Sequence, residues 1–195
     1  REELLLRYFT EAVVLCRETF QKASMGDEFT WREALEILRV WEYTGRVRRG
    51  YFIEGMSGAQ FIRKDDYEAV NALLQKSDEE LIWLNASDPA QIWGKILKQP
   101  KEREFMNLPG TAVALLGGLP AAVLEKQGKT LRVFGDDAQS RLDIILSGLV
   151  RDFREKKLFA DQKRLIVKDY PKYAGDSLKK AGFIHEMQDY VLYWP

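Results

Sequence analysis

Cysteine is almost absent. Cys16 is the only one in 195 residues, so no disulfide can close within the chain and no cysteine-rich metal site can be built from it. That usage suits a reducing compartment, and a cytoplasmic setting is expected. Histidine is as scarce: His185 stands alone. A Ser-His or Cys-His nucleophile system would need it, yet no nucleophile motif surrounds it, so it reads as a structural or surface residue. No Gly-rich loop ends in Lys-Ser or Lys-Thr. Leu116-Gly117-Gly118-Leu119-Pro120 lacks the lysine and hydroxyl that cradle phosphates, so this chain is not expected to hydrolyse ATP or to need a cofactor of its own.

An excess of charge of one sign is also missing, since 30 Lys and Arg balance 30 Asp and Glu. Nucleic-acid binding must therefore rest on local clustering. The uncharged stretch Leu108 to Leu124 is long enough to suggest a membrane span, but Pro109, Gly110, Gly117, Gly118 and Pro120 break it, and paired strands are expected instead. The first residues, Arg1-Glu2-Glu3, show no signal-peptide pattern, as in a piece cut from a longer protein.

What is present is a globular composition, 46% hydrophobic and 31% charged. The length allows two domains, placed at 1–77 and 78–195 with the boundary near the helix-breaking run Lys76-Ser77-Asp78. The class expected is α+β: a winged-helix domain followed by a β-rich domain, a small barrel or an antiparallel sheet, packed with helices.

From Glu2 to Phe20, the residues Leu5, Leu6, Phe9, Val13, Cys16 and Phe20 recur at helical spacing and predict one helix. After the break at Ser24, Gly26 and Asp27, Thr30 and Glu33 form a capping box that opens a second helical region. It ends at Gly45, with a possible kink between Trp31 and Ala34. Two β-prone runs, Val47 to Ile53 and Ala59 to Arg63, flank the loop Glu54-Gly55-Met56-Ser57-Gly58 and read as a hairpin. Helix, helix and hairpin in this order make a winged helix. Asp65 or Asp66 can then cap a helix through Tyr67, Val70, Leu73 and Leu74.

The second domain is read as strands at Leu81–Leu84, Thr111–Leu116, Ala121–Lys126 and Thr130–Phe134. A long amphipathic helix from Asp136 to Phe159 packs on them. The end reads as a strand Leu165–Lys168, a helix Ser177–Ala181 stopped by Gly182, and a strand Glu186–Trp194.

Charge is most informative on the hairpin. Between Arg46 and Lys64 the cations Arg46, Arg48, Arg49, Arg63 and Lys64 face the single acid Glu54. Cations on a protruding wing can neutralise phosphates; the alternative is a charged edge that deters strand pairing. Tyr51 and Phe52 alternate across the strand, so one is core and the other is free to stack on a base. Among the five tryptophans, Trp93, beside Gln91, Gly94 and Lys95, is the candidate for a base contact, and the others read as core. The carboxylates Asp88, Asp136, Asp137 and Asp143 could in principle assist cleavage of a glycosidic bond, though Asp88 before Pro89 reads as a turn residue.

Taken in order, Trp31 to Gly45, then Val47-Arg48-Arg49-Gly50-Tyr51-Phe52, then Ser57-Gly58-Ala59-Gln60-Phe61 resemble the C-terminal accessory region of large helicase-related (Lhr-type) superfamily 2 DEAD/DEAH-box DNA helicases. The resemblance continues through Leu84-Asn85-Ala86-Ser87-Asp88-Pro89 with Gly94, the Pro109–Phe134 region and Ala181-Gly182-Phe183. In that family two RecA-like lobes bind ATP and Mg and translocate along single-stranded DNA, while a winged helix and a further domain complete the channel. The resemblance implies a non-ATPase, strand-guiding part of a DNA-repair helicase. Its partners would be single-stranded or forked DNA and upstream RecA-like lobes, with no membrane, as a monomer. The C-terminal domain also resembles winged-helix DNA glycosylases, whose paired-glutamine signature has no counterpart here: Gln60, Gln91 and Gln99 stand singly. Base excision on uracil or damaged bases, and a dimeric transcription regulator, are the rival expectations.

Overall fold

The computed structural model describes residues 1–75 and 80–194, which fall into two compact units, Arg1–Ser77 and Asp78–Pro195. The expected boundary run Lys76-Ser77-Asp78 lies outside the described residues.

In the first unit the single helix expected over Glu2–Phe20 is divided. The chain forms α1 (Glu2–Glu11), β1 (Val14–Leu15) and α2 (Arg17–Ala23). Ala12 is extended, with φ −139° and ψ 104°, and Val14 and Leu15 pair with Ile62 and Phe61. Pairing with a distant strand satisfies their backbone groups and buries Leu15 completely, which outweighs the local helical period. Cys16 then caps α2, its amide donating to Thr19 Oγ1 at 2.9 Å.

Helix α3 (Trp31–Tyr43) runs without a kink. Its start is the expected capping box: the Glu33 amide donates to Thr30 Oγ1 at 3.3 Å and the Thr30 amide to Glu33 Oε2 at 2.8 Å. Gly45, at φ +74°, turns the chain out of the helix in the left-handed conformation that glycine adopts without strain. Strands β2 (Val47–Gly50) and β3 (Gln60–Arg63) form the hairpin, shorter than its β-prone runs, and the antiparallel sheet has the order β1-β3-β2. Leu5, Tyr8 and Phe9 of α1, Phe20 of α2, Leu38 and Trp41 of α3, Val47 and Phe61 make one buried cluster. This is the winged-helix arrangement. Helix α4 (Lys64–Leu74) begins directly after Arg63. Asp66, one of the two residues expected to cap it, instead binds the Arg63 guanidinium through two hydrogen bonds of 2.6 and 2.9 Å.

In the second unit β4 (Leu81–Asn85), β5 (Ala112–Leu116), β6 (Leu119–Glu125) and β7 (Thr130–Val133) form an antiparallel sheet in chain order, a sheet rather than a barrel. The uncharged stretch thus becomes the paired strands β5 and β6, and among the described residues no helix is long and apolar enough to cross a membrane. Helix α5 (Ala138–Arg154) packs on this sheet, with Trp83 Nε1 donating to Ile145 O at 3.0 Å. It stops short of Phe159 because the Asp152 carbonyl accepts the Lys157 and Leu158 amides and Lys156 turns to φ +57°. A second sheet, order β8-β10-β9, contains β8 (Arg164–Val167), β9 (Ile184–Glu186) and β10 (Asp189–Tyr193), with α6 (Gly175–Lys180) between β8 and β9 in sequence. The strand expected over Glu186–Trp194 is β10, and the unexpected β9 precedes it, the two forming a hairpin that turns at Met187 with φ +56°. His185 lies on β9, exposed beside the Tyr190 ring.

Candidate nucleic-acid interface

The wing cations do not form one surface. Strand alternation puts Val47, Arg49 and Arg63 on the side of the hairpin that faces α3, and Arg48 and Gly50 on the side that α4 covers. Arg49 Nε accordingly lies 3.4 Å from Glu42 Oε1 on α3. Arg48 lies across the Tyr67 ring of α4, 4.3 Å from its centroid. Phe52 joins Arg48 there, its ring 6.2 Å from Tyr67. That position needs a glycine at 50, because a Cβ on Gly50 would stand 2.8 Å from Phe52 Cζ. Phe52 is thus the packed aromatic of the pair and Tyr51, 92% exposed, the free one.

Arg46, Arg63 and Lys64 come together elsewhere, in a shallow cleft with Leu6, Trp41 and Asp65. Arg46 stacks over the Trp41 ring at 4.0 Å and reaches Glu2 at 3.1 Å. The Asp66 hydrogen bond holds Arg63 firmly protonated, its pKa raised against the opposing pull of burial. Lys64 has no ion pair among the described residues. Trp93 belongs to the second unit, where it is half-buried against Phe105 and Val113 and donates Nε1–H to Gly118 O at 2.9 Å.

The wing loop is built from inside. Gln60, 1% exposed, accepts the Phe52 and Ile53 amides on Oε1, both at 2.8 Å, and donates to Ile53 O at 2.9 Å. Ser57 donates to Glu18 of α2 at 2.8 Å. Burial raises the Glu18 pKa, but the hydrogen bonds from Ser57 and from nearby backbone outweigh it, and the carboxyl ends below its ordinary range.

The exposed side of α3 went unread in the sequence. Arg32, Glu36, Arg39, Val40 and Tyr43 are all exposed, at the three-, four- and seven-residue intervals that share one helical face. Arg32 and Arg39 make no ion pair among the described residues. Tyr43 is 93% exposed. The signal was the polar half of the same amphipathic period that located Leu38 and Trp41 in the core.

The acidic candidates belong to the second unit. Asp88 Oδ1 accepts the Ala90 amide at 2.8 Å, the turn expected of it. A Ser177 hydrogen bond holds the Asp143 carboxyl below its ordinary range, and Lys180 lies 3.4 Å away. Asp136, Asp137 and Asp143 line an open cleft with Asp176, yet no metal-holding cluster occurs among the described residues.

Residues 2–82 match the family model described as the winged-helix domain of large helicase-related protein. Over 114 residues, 54% of this chain and 8% of the relative, the chain is 33% identical to a Mycolicibacterium smegmatis protein named Lhr helicase/probable uracil glycosylase. Over 158 residues, 75% of this chain and 10% of the relative, it is 27% identical to the Escherichia coli protein named Lhr helicase/uracil glycosylase. The chain thus spans about a tenth or less of the length of these curated relatives. The resemblance drawn from the wing motifs is borne out.

Proposed function

We propose that this chain is a non-ATPase, nucleic-acid-gripping and strand-guiding part of an ATP-dependent helicase of the large helicase-related type, acting in DNA repair. The observation that carries the reading is the outer face of α3. Arg32 and Arg39 can meet phosphates without breaking an ion pair, and Tyr43 offers an open ring on which an unpaired base can stack. Arg49 and Tyr51 extend this grip along the hairpin. Single-stranded or forked DNA is the proposed ligand, and RecA-like lobes the proposed upstream partners and the site of ATP and Mg binding. We place the protein in the cytoplasm, as a monomer.

Fluorescence anisotropy of the 195-residue chain with labelled single-stranded and forked DNA tests this. Removing both phosphate contacts with Arg32→Ala and Arg39→Ala is expected to flatten the dependence of log K on log salt by about 1.4. Arg48→Ala, on the α4 side, is expected to change little. Absence of binding at low salt would sink the reading.

A second reading, base excision on uracil, is favoured by the names of both relatives. Incubation with uracil-containing oligonucleotides at stoichiometric protein decides it, and an absence of alkali-labile sites removes it.

A further inference from the structure

In a chain with no net charge, cations left without acids in one place call for a reason. Several basic residues around α5 and the second sheet are matched. Arg151 lies 2.8 Å from Asp152, Lys157 2.6 Å from Glu155, Lys168 3.2 Å from Asp189 and Lys180 3.4 Å from Asp143. Arg154, Lys156, Lys163 and Arg164 are all exposed and have no carboxylate partner among the described residues.

Trp194 meets the segments that carry these residues, two of them through backbone carbonyls. The Trp194 amide donates to Lys163 O at 2.9 Å, and Trp194 Nε1 donates to Arg154 O at 3.1 Å. The Lys156 ammonium lies 4.4 Å from the centre of its ring. Arg164 is the strand neighbour of Tyr193, the residue before Trp194. Trp194 remains 42% exposed and Tyr193 44% exposed. Nearby acids are mostly engaged: Glu155 with Lys157, and Glu186 with the Tyr193 hydroxyl at 2.8 Å. Asp161 is the only acid from Lys156 to Arg164.

A structural role explains part of this. Basic residues in the last turn of a helix favour its dipole, which accounts for Arg154. It does not account for Lys163 and Arg164, which follow a connecting segment and enter β8. Exposed, unpaired cations on the segments that meet a half-open aromatic ring are complemented by a chain of phosphates with a base free to stack. Cations interleaved with an exposed indole suit a nucleic-acid strand better than an acidic peptide, since every nucleotide brings both a phosphate and a ring.

We propose that Arg154, Lys156, Lys163 and Arg164 around Trp194 form a nucleic-acid strand site in the second unit, separate in composition from the α3 face. The phosphates would lie on the four cations, with a base against the open part of Trp194.

The test uses the full chain carrying Arg32→Ala and Arg39→Ala, so that the α3 grip is weakened first. Binding of labelled oligo-dT is followed by anisotropy across a salt series. In that background, Arg154→Ala with Lys163→Ala and Arg164→Ala is expected to lose at least about tenfold in affinity at low salt and to flatten the salt slope by about 2, three phosphates at ~0.7 each. The charge-preserving set Arg154→Lys, Lys163→Arg and Arg164→Lys is expected to restore both. Trp194→Leu is expected to weaken oligo-dT by about fivefold or more with the slope unchanged. Circular dichroism showing that the alanine variant is folded keeps its result interpretable. An unchanged affinity and slope in that folded variant overturns the proposal. So does polyglutamate binding as tightly as oligo-dT, which would assign the patch to an acidic protein. Loss of binding in wild type upon changing α3 alone bears on the proposed function, and loss only in the Arg154 set bears on this site.

Discussion

Arg49 and Glu42 join the wing to α3 across 3.4 Å, so this hairpin cation on the α3 side is partly neutralised by the helix it stands beside. An exposed pair of this kind contributes about 0 to 1 kcal/mol. Glu42→Gln is therefore expected to leave the urea midpoint almost unchanged while it tightens DNA binding at low salt. Weaker binding by anisotropy would show that Arg49 is held by Glu42 for a purpose other than nucleic acid.

The capping box at the head of α3 predicts a different outcome. Thr30→Ala should cost about 1 kcal/mol in denaturant titration. The Glu33 carboxyl is held below its ordinary range, first by the Thr30 amide, then by the Thr30 hydroxyl and Arg1. A depressed folded pKa gives stability that is present above the unfolded value, near 4.3, and is lost as pH falls through the folded one. The stability difference between wild type and Glu33→Gln should accordingly narrow between pH 5 and pH 3. A constant difference over that range would refute the assignment.

At the other end of the pH scale, Tyr8 is pushed up to about 12 by burial and by its hydrogen bond to Asp27 at 2.6 Å. Its raised folded pKa gives stability that is full below the unfolded value, near 10, and lost as pH rises toward 12. Tyr8→Phe should remove that alkaline component of unfolding, as read by circular dichroism between pH 9 and 12.

Gln60 is the internal support of the wing loop. Gln60→Leu should leave the Phe52 and Ile53 amides without their acceptor and cost on the order of 1 to 3 kcal/mol. Hydrogen exchange at those two amides should accelerate, and protection equal to wild type would contradict the role.

In the second unit Phe153, 1% exposed within the cluster of Leu146, Leu149 and Leu158, ties α5 to the core. Phe153→Ala should cost about 3 to 5 kcal/mol, followed by denaturant unfolding of the chain.

Much of the architecture was legible locally. Thr30, Glu33 and Gly45 marked the bounds of α3 through backbone amides and a left-handed cap, both properties of neighbouring residues. The sheet of the second unit followed from alternation and from glycine and proline at the turn between β5 and β6. The strand β9 and its hairpin turn into β10 were not legible, because a turn at Met187 uses a left-handed residue that no local rule favours. The face of each wing cation was likewise hidden, since alternation separates Arg48 from Arg49 but does not say which side α4 covers.

By itself the sequence determined the winged-helix order, the β-rich second unit, the lack of a phosphate loop and the resemblance to large helicase-related proteins, all carried by short-range pattern and motif. Tertiary structure alone decided that β1 interrupts the first helix, that the wing cations divide among three surroundings, and that Trp194 meets the segments of Arg154 and Lys163 with Lys156 over its ring. The reason is physical: strand pairing, ion pairs and stacking join residues far apart in the chain, and their energies depend on distances that no local period encodes.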